Sequence, residues 1–394
     1  MKKLIALLLA LVMVFAFAAC GGTDKKAETD AKDPAENTEN TENTENTEET
    51  TDMSVAMITD YGDITDQSFN QTTYEACKEY CSENGIQFNY FKPAGDSDAE
   101  RVAMIESAID EGYNVIVMPG YAFAGAIKET AGTYSDITFI ALDVSAGDLG
   151  ADYELPSNLY CAVYQEELCG YMAGYAAVKL GYTHLGFLGG MAVPAVVRYG
   201  YGYLQGIDAA AVELGNADQV TVEYVYGNQF QGDADITAYM DNWYQTLGVE
   251  VVFACGGGIY NSAAEAAAKV EGAKVIGVDV DQSGIIDSGY GEGMTVTSAM
   301  KGLAATVKTM LAEVKAGNFA NYGGKIDTLG LVSENPEENY VQIPMTTQFE
   351  DGKFTAEDYK ALVADMYSGE ITVSNDIETM PETTVTVNEY ANIK

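Results

Sequence analysis

Basic side chains are scarce in this sequence of 394 residues. Lysine and arginine together number 20, against 60 aspartates and glutamates, and the formal net charge at pH 7 is −40. A surface of this sign repels phosphate backbones, so the composition excludes a nucleic-acid-binding protein. The charge says nothing about the fold, but the length allows two domains of ordinary size.

Histidine and cysteine are also scarce, with a single histidine, His184, and six cysteines. A zinc site needs more such ligands than the sequence brings together. His184 precedes a predicted strand, whereas active sites of open α/β folds lie at the opposite, carboxyl ends of strands, so a structural role is expected. No GxSxG motif, Cys/His pair or Walker loop is present. We therefore predict no catalytic residue, no metal and no cofactor.

The N-terminus has the pattern of an export signal. Two lysines precede an apolar run that ends in FAAC at Cys20, and this sequence resembles a bacterial lipobox. Residues 1–20 are expected to be a lipoprotein signal peptide with Cys20 as the lipidated residue; an ordinary signal peptide or an uncleaved anchor is the alternative. Residues 21–52 have TEN repeats and no aliphatic side chain larger than alanine, which predicts a disordered acidic tether.

From Ser54 onward, short apolar runs alternate with amphipathic stretches of helical periodicity. The predicted strands are residues 54–59, 86–91, 115–120, 137–144, 184–190, 221–226, 251–257 and 274–280. Helical stretches between them include residues 98–111, 166–179, 196–214 and 261–270. Apolar strands separated by helices indicate parallel sheets covered on both faces. The five cysteines after Cys20 lie in such segments and are interpreted as buried apolar side chains rather than a disulfide framework.

Eight such units are also compatible with a closed barrel of eight strands. Two joins argue against it, because residues 159–164 and 295–301 each follow the preceding strand without a helix between. Joins of this kind are typical of a chain that crosses between two open domains, so the pattern favours two doubly wound α/β domains. The C-terminal part is expected to contain another crossing at 326–332, a helix at 355–368, a strand-like segment at 370–374 and then a loosely held tail.

Residues 60–71, DYGDITDQSFNQ, are expected to begin a ligand site. They follow the first predicted strand and lead into a helix, which is where open α/β folds place ligands. Phe69 offers a ring that can stack on a flat molecule, and Asn70 an amide that can read its polar edge. Asp66 and Ser68 are interpreted as caps of the helix that begins near Phe69.

Acidic residues at strand ends are further candidates. Asp60, Asp143 and Asp279 each follow an apolar run, and each alone is equally well explained as a strand-end cap. If the three carboxylates lie in one cleft, their oxygens can accept hydrogen bonds from the vicinal hydroxyls of a sugar. Lys301 adds a donor nearby. Phe230, in a strand-to-helix loop, offers a second ring for stacking on a planar base, with packing under its own loop as the alternative.

Six features of the sequence are considered together: DYGDITDQSFNQ (60–71), the acid after FIAL (Asp143), NLYCAVYQEELCGYMAGY (158–175), LGFLGGMAVPAVVRYGYGYLQGI (185–207), VIGVDVDQ (275–282) and TSAMK (297–301). In order and spacing they resemble the basic membrane protein family, lipid-anchored solute-binding proteins of ABC importers that are related to the purine nucleoside receptor of spirochaetes. The resemblance covers residues 55–374. It implies a type I periplasmic-binding-protein fold, with two doubly wound parallel-sheet lobes joined by three crossing segments and a ligand closed between them.

The resemblance also implies roles for individual residues. Phe69 and Phe230 match the positions whose rings stack on a nucleoside base. Asn70 and Asp143 match groups that face the base or its neighbouring polar atoms.

On the ribose side, the resemblance implies contacts from Asp60, Asp279 and Lys301, with a backbone contact from Gly257. Here the sequence departs from the family pattern, because residues 256–258 are all glycine and run into Ile-Tyr-Asn instead of a second glycine step. The resemblance therefore places the glycine that contacts the ligand within residues 256–258 without choosing among the three.

These patterns give the expected organisation and function. Lobe 1 is expected to comprise residues 53–160 and 298–330, and lobe 2 residues 161–297 and 331–375, with a tail at 376–394. The expected protein is a monomer that is lipid-anchored at the extracytoplasmic face of the cell membrane. It is expected to bind a nucleoside, a purine nucleoside by preference, by hinge closure and to deliver it to an ABC permease. The alternatives are a riboflavin- or sugar-binding protein, a sensor for a membrane kinase and an extracellular nucleoside hydrolase.

Overall fold

The computed structural model describes residues 53–394, which form two α/β lobes, each built on a mainly parallel sheet. The expected signal peptide, Cys20 and the tether lie outside these residues. The strands of lobe 1 are β1 (Ser54–Ile58), β2 (Gln87–Phe91), β3 (Val115–Pro119), β4 (Thr138–Leu142), β5 (Leu159–Tyr164) and β11 (Lys325–Leu329). The strands of lobe 2 are β6 (His184–Gly189), β7 (Thr221–Tyr226), β8 (Val251–Cys255), β9 (Lys274–Asp279), β10 (Thr295–Lys301), β12 (Val341–Gln342) and β13 (Thr386–Glu389).

Helices cover the faces of both sheets. They are α1 (Phe69–Asn84), α2 (Asp98–Asp110), α3 (Ala124–Thr130), α4 (Ala146–Leu149), α5 (Glu166–Leu180), α6 (Pro194–Leu214), α7 (Ala234–Asn242), α8 (Tyr260–Ala267), α9 (Ser283–Tyr290), α10 (Leu303–Lys315) and α11 (Ala356–Ser368). Every residue of β3 and β8 is buried, which is why the central strands read as continuous apolar runs. No helix within residues 53–394 is long and apolar enough to cross a membrane.

The two sheets have related strand orders, β11-β5-β4-β3-β1-β2 in lobe 1 and β12-β10-β9-β8-β6-β7-β13 in lobe 2. The pairs are parallel except for β12, which runs antiparallel to β10. The winding direction reverses between β1 and β3 in lobe 1 and between β6 and β8 in lobe 2. Such a reversal opens a crevice at the carboxyl ends of the strands, where ligands of α/β proteins bind. The doubly wound prediction is confirmed, and the barrel alternative is wrong.

The chain crosses between the sheets three times, after β5, after β10 and after β11. The crossings fall a few residues from the expected boundaries. Residues 161–164 pair with β11 in the sheet of lobe 1, and residues 298–300 pair with β9 in that of lobe 2. Each crossing thus lies at the carboxyl end of a strand, so Lys301, the last residue of β10, sits where the lobes meet.

The C-terminal segment differs from the expected tail. Residues 370–374 form no strand, whereas β13 pairs with β7 and extends the sheet of lobe 2. The side chains of Asn388 and Tyr390 donate to the buried carboxylate of Glu223, which also binds Nε2 of His184 at 2.8 Å. His184 therefore has the structural environment that its position predicts. The five cysteines in the described part of the chain are buried and unbonded.

Candidate functional site

A cavity of about 630 Å³ lies between the lobes, at the carboxyl ends of strands from both sheets. This volume falls within the roughly 300–1,000 Å³ that is typical of small-molecule sites. The cavity brings together all eight ligand-site candidates from the sequence: Asp60, Phe69, Asn70, Asp143, Phe230, Gly257, Asp279 and Lys301. Their shared location is a structural fact, whereas their contact with a ligand remains a prediction.

Asp60 lies at the point in lobe 1 where the winding direction reverses. Its Oδ1 accepts hydrogen bonds from the backbone N–H groups of Tyr61 and Gly62, both at 2.6 Å. Burial raises the pKa of Asp60, although these donors oppose the rise. Gly120 follows β3 and leaves room for the Asp60 carboxylate, because a Cβ on residue 120 would lie 3.2 Å from Oδ2 of Asp60. The reversal point of lobe 1 thus holds a buried carboxylate fixed by its own loop.

Phe230 occupies the corresponding point of lobe 2. A Cβ on Gly190, which follows β6, would lie 2.4 Å from its ring, and one on Gly256, which follows β8, would lie 2.9 Å from it. The glycines after these strands therefore make space for the Phe230 ring. Across the cleft its ring is stacked with that of Tyr61, at a centroid distance of 6.4 Å and an interplanar angle of 29°.

Phe69 enters the cavity from lobe 1, where it begins α1. The ammonium group of Lys301 lies 4.8 Å from its ring centroid, within the range of a cation–π interaction. The two phenylalanines therefore reach one cavity from opposite lobes, and Phe69 is supported by a cation at the crossing.

Lys301 is the centre of a buried charge cluster. Its Nζ lies 2.5 Å from Asp143 Oδ2, 3.3 Å from Glu166 Oε1 and 3.8 Å from Asp279 Oδ1, and its side chain is 3% exposed. Burial alone would lower the pKa of Lys301, but the three carboxylates outweigh burial and raise it. Lys301 is therefore a fixed cation that joins the β4 end of lobe 1 to lobe 2.

Two acceptor atoms in the cavity wall are buried and have no partner in the protein. They are Oδ1 of Asn70 and Oδ1 of Asp143. The amide of Asn70 is oriented by Asp66, because its Nδ2 donates to Asp66 Oδ2 at 3.3 Å. Burial raises the pKa of Asp143 to about 6 against the opposing effect of Lys301. Unpaired buried acceptors are costly, so this wall is suited to a ligand that carries N–H donors.

The capping prediction is confirmed for Asp66 and wrong for the side chain of Ser68. Asp66 accepts from the backbone N–H groups of Ser68, Asn70 and Gln71 at 2.9–3.0 Å. Ser68 occupies the N-cap position without a capping bond from its side chain. Its hydroxyl instead donates to Asp279 of lobe 2 at 2.5 Å.

The sequence analysis missed Tyr61 and Arg198, which line the cavity, and Glu166, which binds the lining residues Arg198 and Lys301. Glu166 is fully buried and accepts from Nε of Arg198 at 2.6 Å as well as from Lys301. Glu166 and Glu167 both stand in the first turn of α5, where acids are common in any helix, so the sequence does not single out Glu166. Tyr61 lies within the candidate motif, but nothing distinguishes it from the other tyrosines of the chain, which number 27 in all.

Backbone strain is concentrated at this site. Among the described residues, the non-glycine residues with positive φ are Gln67 (56°), Asp143 (58°), Asn228 (60°) and Asp279 (65°). Three of them line the cavity, and Gln67 directly precedes Ser68. Such conformations cost about 1–3 kcal/mol each and cluster at binding sites, where the surroundings hold them in place. Within residues 53–394, no group of three or more metal-ligating side chains is placed to hold a metal ion.

Comparisons with known proteins agree with this geometry. The family model of PnrA-like ABC transporter substrate-binding proteins matches residues 53–373. An ABC transporter nucleoside-binding protein, BmpA of Lactococcus lactis, is 26% identical over 330 residues, which are 77% of this chain and 89% of that protein. Basic membrane protein B of Borreliella burgdorferi is 26% identical over 313 residues, 76% of this chain and 82% of that protein. Among solved structures, an ABC transporter solute-binding protein from Aeropyrum pernix K1 matches with a TM-score of 0.62 at 22% identity, over 82% of this chain and 88% of that one.

Proposed function

The chain belongs to the family of PnrA-like ABC transporter substrate-binding proteins, and from this premise we propose that it binds a nucleoside, with purine nucleosides preferred, between its two lobes. The observation that carries the proposal is one cavity with an aromatic ring from each lobe and two unpartnered acceptors in its wall. Stacking on aromatic side chains contributes about 1–3 kcal/mol per base. A flat, uncharged ligand with N–H donors fits both features.

The unpartnered acceptors favour a purine. Asn70 Oδ1 and Asp143 Oδ1 accept hydrogen bonds, and neither has a donor from the protein. A guanine base offers adjacent ring N–H and amino donors, and hypoxanthine offers the ring N–H. Uracil also carries one ring N–H, but its single ring stacks on less aromatic surface than a purine. We therefore rank guanosine and inosine above uridine.

The ribose would lie against Asp60, Asp279 and Lys301, with a backbone contact from the glycines at 256–258. Carboxylate oxygens accept from vicinal hydroxyls, and the lysine ammonium donates. Seven aspartates and three basic side chains line the cavity. A ligand phosphate would therefore meet like charge in a desolvated space, so nucleosides are expected to bind far more tightly than nucleotides.

The proposed setting is the extracytoplasmic face of the cell membrane, with Cys20 as the lipidated residue. Binding between the lobes would stabilise the closed form by its differential affinity for it, and the closed protein would dock on a membrane permease. The proposed role is binding without chemical conversion.

Calorimetric titration of residues 53–394 with a ligand panel tests the proposal. We expect guanosine and inosine to bind more tightly than uridine, with guanosine 5′-monophosphate, riboflavin and ribose weakest. Heat from ribose or riboflavin alone would overturn the nucleoside assignment. Release of hypoxanthine from inosine during the titration would instead identify a hydrolase.

Replacing Gly190 by alanine is expected to weaken nucleoside binding about tenfold, because the new Cβ pushes the Phe230 ring toward the cavity. Gly284 in α9 is the matched control, since a Cβ there meets nothing within 4 Å. Dissociation constants of the wild type and both variants should be compared. Equal affinity in the Gly190→Ala variant would show that the position of this ring does not matter for binding.

A further inference from the structure

Ser68 stands at the N-cap of α1, but another residue does the capping. The carboxylate of Asp66 takes the N–H groups of Asn70 and Gln71, which are the donors that an N-cap side chain usually satisfies. The Ser68 side chain is fully buried and makes no capping bond. Its hydroxyl is therefore free for a contact outside its own helix.

That contact crosses the cleft. Ser68 Oγ donates to Asp279 Oδ2 at 2.5 Å, and Asp279 is 5% exposed. The neighbouring backbone makes a second crossing, because Nε2 of Gln282 donates to the carbonyl oxygen of Gln67 at 3.0 Å. The β9–α9 turn orients the side-chain amide of Gln282, because its Oε1 accepts a hydrogen bond from the backbone N–H of Val278 at 2.9 Å. These two hydrogen bonds, the interlobe latch, join adjacent residues of lobe 1 to the β9–α9 turn of lobe 2.

The latch lies where both lobes have strained backbone. Gln67 and Asp279, one on each side, have φ values of 56° and 65°. Strained conformations persist where surrounding contacts over-determine them. The other oxygen of Asp279 has Tyr199 OH at 3.4 Å and Lys301 Nζ at 3.8 Å, both from elements of lobe 2. Ser68 is thus the donor from lobe 1 that orients this carboxylate.

We propose that Ser68 and Gln282 are positioning residues that hold Asp279 in its binding orientation and control ligand release. Both bonds require closed lobes, so the latch and a ligand between the lobes stabilise the same state. The consequence for ligand release rests on the proposed function, whereas the closing of the lobes by the latch does not. A populated closed form before ligand binding follows from the same contacts.

Replacing Ser68 by alanine tests the latch. We expect nucleoside dissociation to become about tenfold faster, because a hydrogen bond to a charged group is lost. Association should become no slower, because the unliganded variant populates the open form more than the wild type does. Ser68→Thr retains the hydroxyl and should restore slow release. Stopped-flow measurement of both rates separates this role from a general loss of structure.

Ser97 provides the matched control. It is also an N-cap serine of lobe 1, but its side chain accepts from the backbone N–H of Glu100 in its own helix. Ser97→Ala should lower thermal stability and leave release rates unchanged, whereas Ser68→Ala should speed release. Equal release rates in the two variants would overturn the proposal.

X-ray scattering from the unliganded protein tests the latch independently of nucleoside binding. The Ser68→Ala variant should have a larger radius of gyration than the wild type. Gln282→Glu removes the donor to Gln67 while keeping an oxygen for Val278 N–H, and it should expand the protein in the same way. Identical profiles for the wild type and both variants would overturn the latch. If the wild type fails to bind nucleosides but both variants are expanded relative to it, only the ligand assignment is refuted.

Discussion

Replacement of Lys301 by methionine is expected to lower the free energy of unfolding by about 3–5 kcal/mol, the usual result when one partner of a buried ion pair is removed. Methionine preserves most of the apolar stem but leaves Asp143, Glu166 and Asp279 without their shared cation. Arg198 still pairs with Glu166, so the uncompensated charge falls mainly on the two aspartates. Denaturant unfolding followed by circular dichroism measures the loss.

Lys308 is the matched control for this prediction. It pairs with Glu79 at 2.6 Å, but the two side chains are 40% and 56% exposed. An exposed pair contributes roughly 0–1 kcal/mol, so Lys308→Met should change stability very little. A similar small loss in both variants would contradict the buried-cluster interpretation.

The loss in Lys301→Met should also depend on pH. Burial already raises the pKa of Asp143 to about 6 in the presence of the lysine, and removal of the cation raises it further. Below pH 6 the carboxyl group takes up a proton, so the variant no longer carries this unpaired charge. The difference in stability between wild type and variant should therefore be smaller at pH 5 than at pH 8.

Replacement of Asp279 by asparagine is expected to raise the dissociation constant for guanosine at least tenfold. The amide keeps the size of the side chain, but one acceptor oxygen becomes a donor that opposes Ser68 or the ribose hydroxyls. Asp281→Asn is the control, because that carboxylate binds Ser283 N–H and Thr346 Oγ and does not line the cavity. Calorimetry of both variants measures the effect.

A dideoxynucleoside separates the ribose contact from general damage to the site. If Asp279 binds the sugar hydroxyls, Asp279→Asn should weaken guanosine binding more than 2′,3′-dideoxyguanosine binding, because the analogue is affected only by the altered contact with Ser68. An equal loss for both nucleosides would remove Asp279 from the ribose side.

Much of the fold was predictable because the interior strands are locally unambiguous. β3 and β8 are buried throughout and contain only apolar residues besides Pro119. β13 was missed because it is an edge strand, TVNE, whose residues remain largely exposed and carry no apolar pattern. The crossings lie within a few residues of the expected positions, but the predicted joins without a helix are wrong, because α4 lies between β4 and β5 and α9 between β9 and β10.

The convergence of the candidate residues was predictable for a topological reason. Asp60 and Asp143 follow strands of the lobe 1 sheet, and Asp279 ends a strand of the lobe 2 sheet. The carboxyl ends of parallel strands meet at one edge of each sheet, and the crossings join the two sheets at these edges. The role of Ser68 was not predictable, because its partner lies 211 residues away in the other lobe. Local pattern assigns both Asp66 and Ser68 to the cap of α1, and only the tertiary structure shows that the hydroxyl of Ser68 binds the other lobe instead.

The left-handed backbone at Asn228 has a practical consequence for protein engineering. Glycine adopts such φ values without the penalty that a side chain incurs, and Asn228 is exposed, whereas Asp143 and Asp279 are held by the buried Lys301. A screen for heat-tolerant variants is therefore expected to select glycine at position 228, which would remove an amide side chain from the cavity wall. Thermostability selection on this scaffold should therefore be paired with a ligand-retention assay, because an easily improved position lines the cleft.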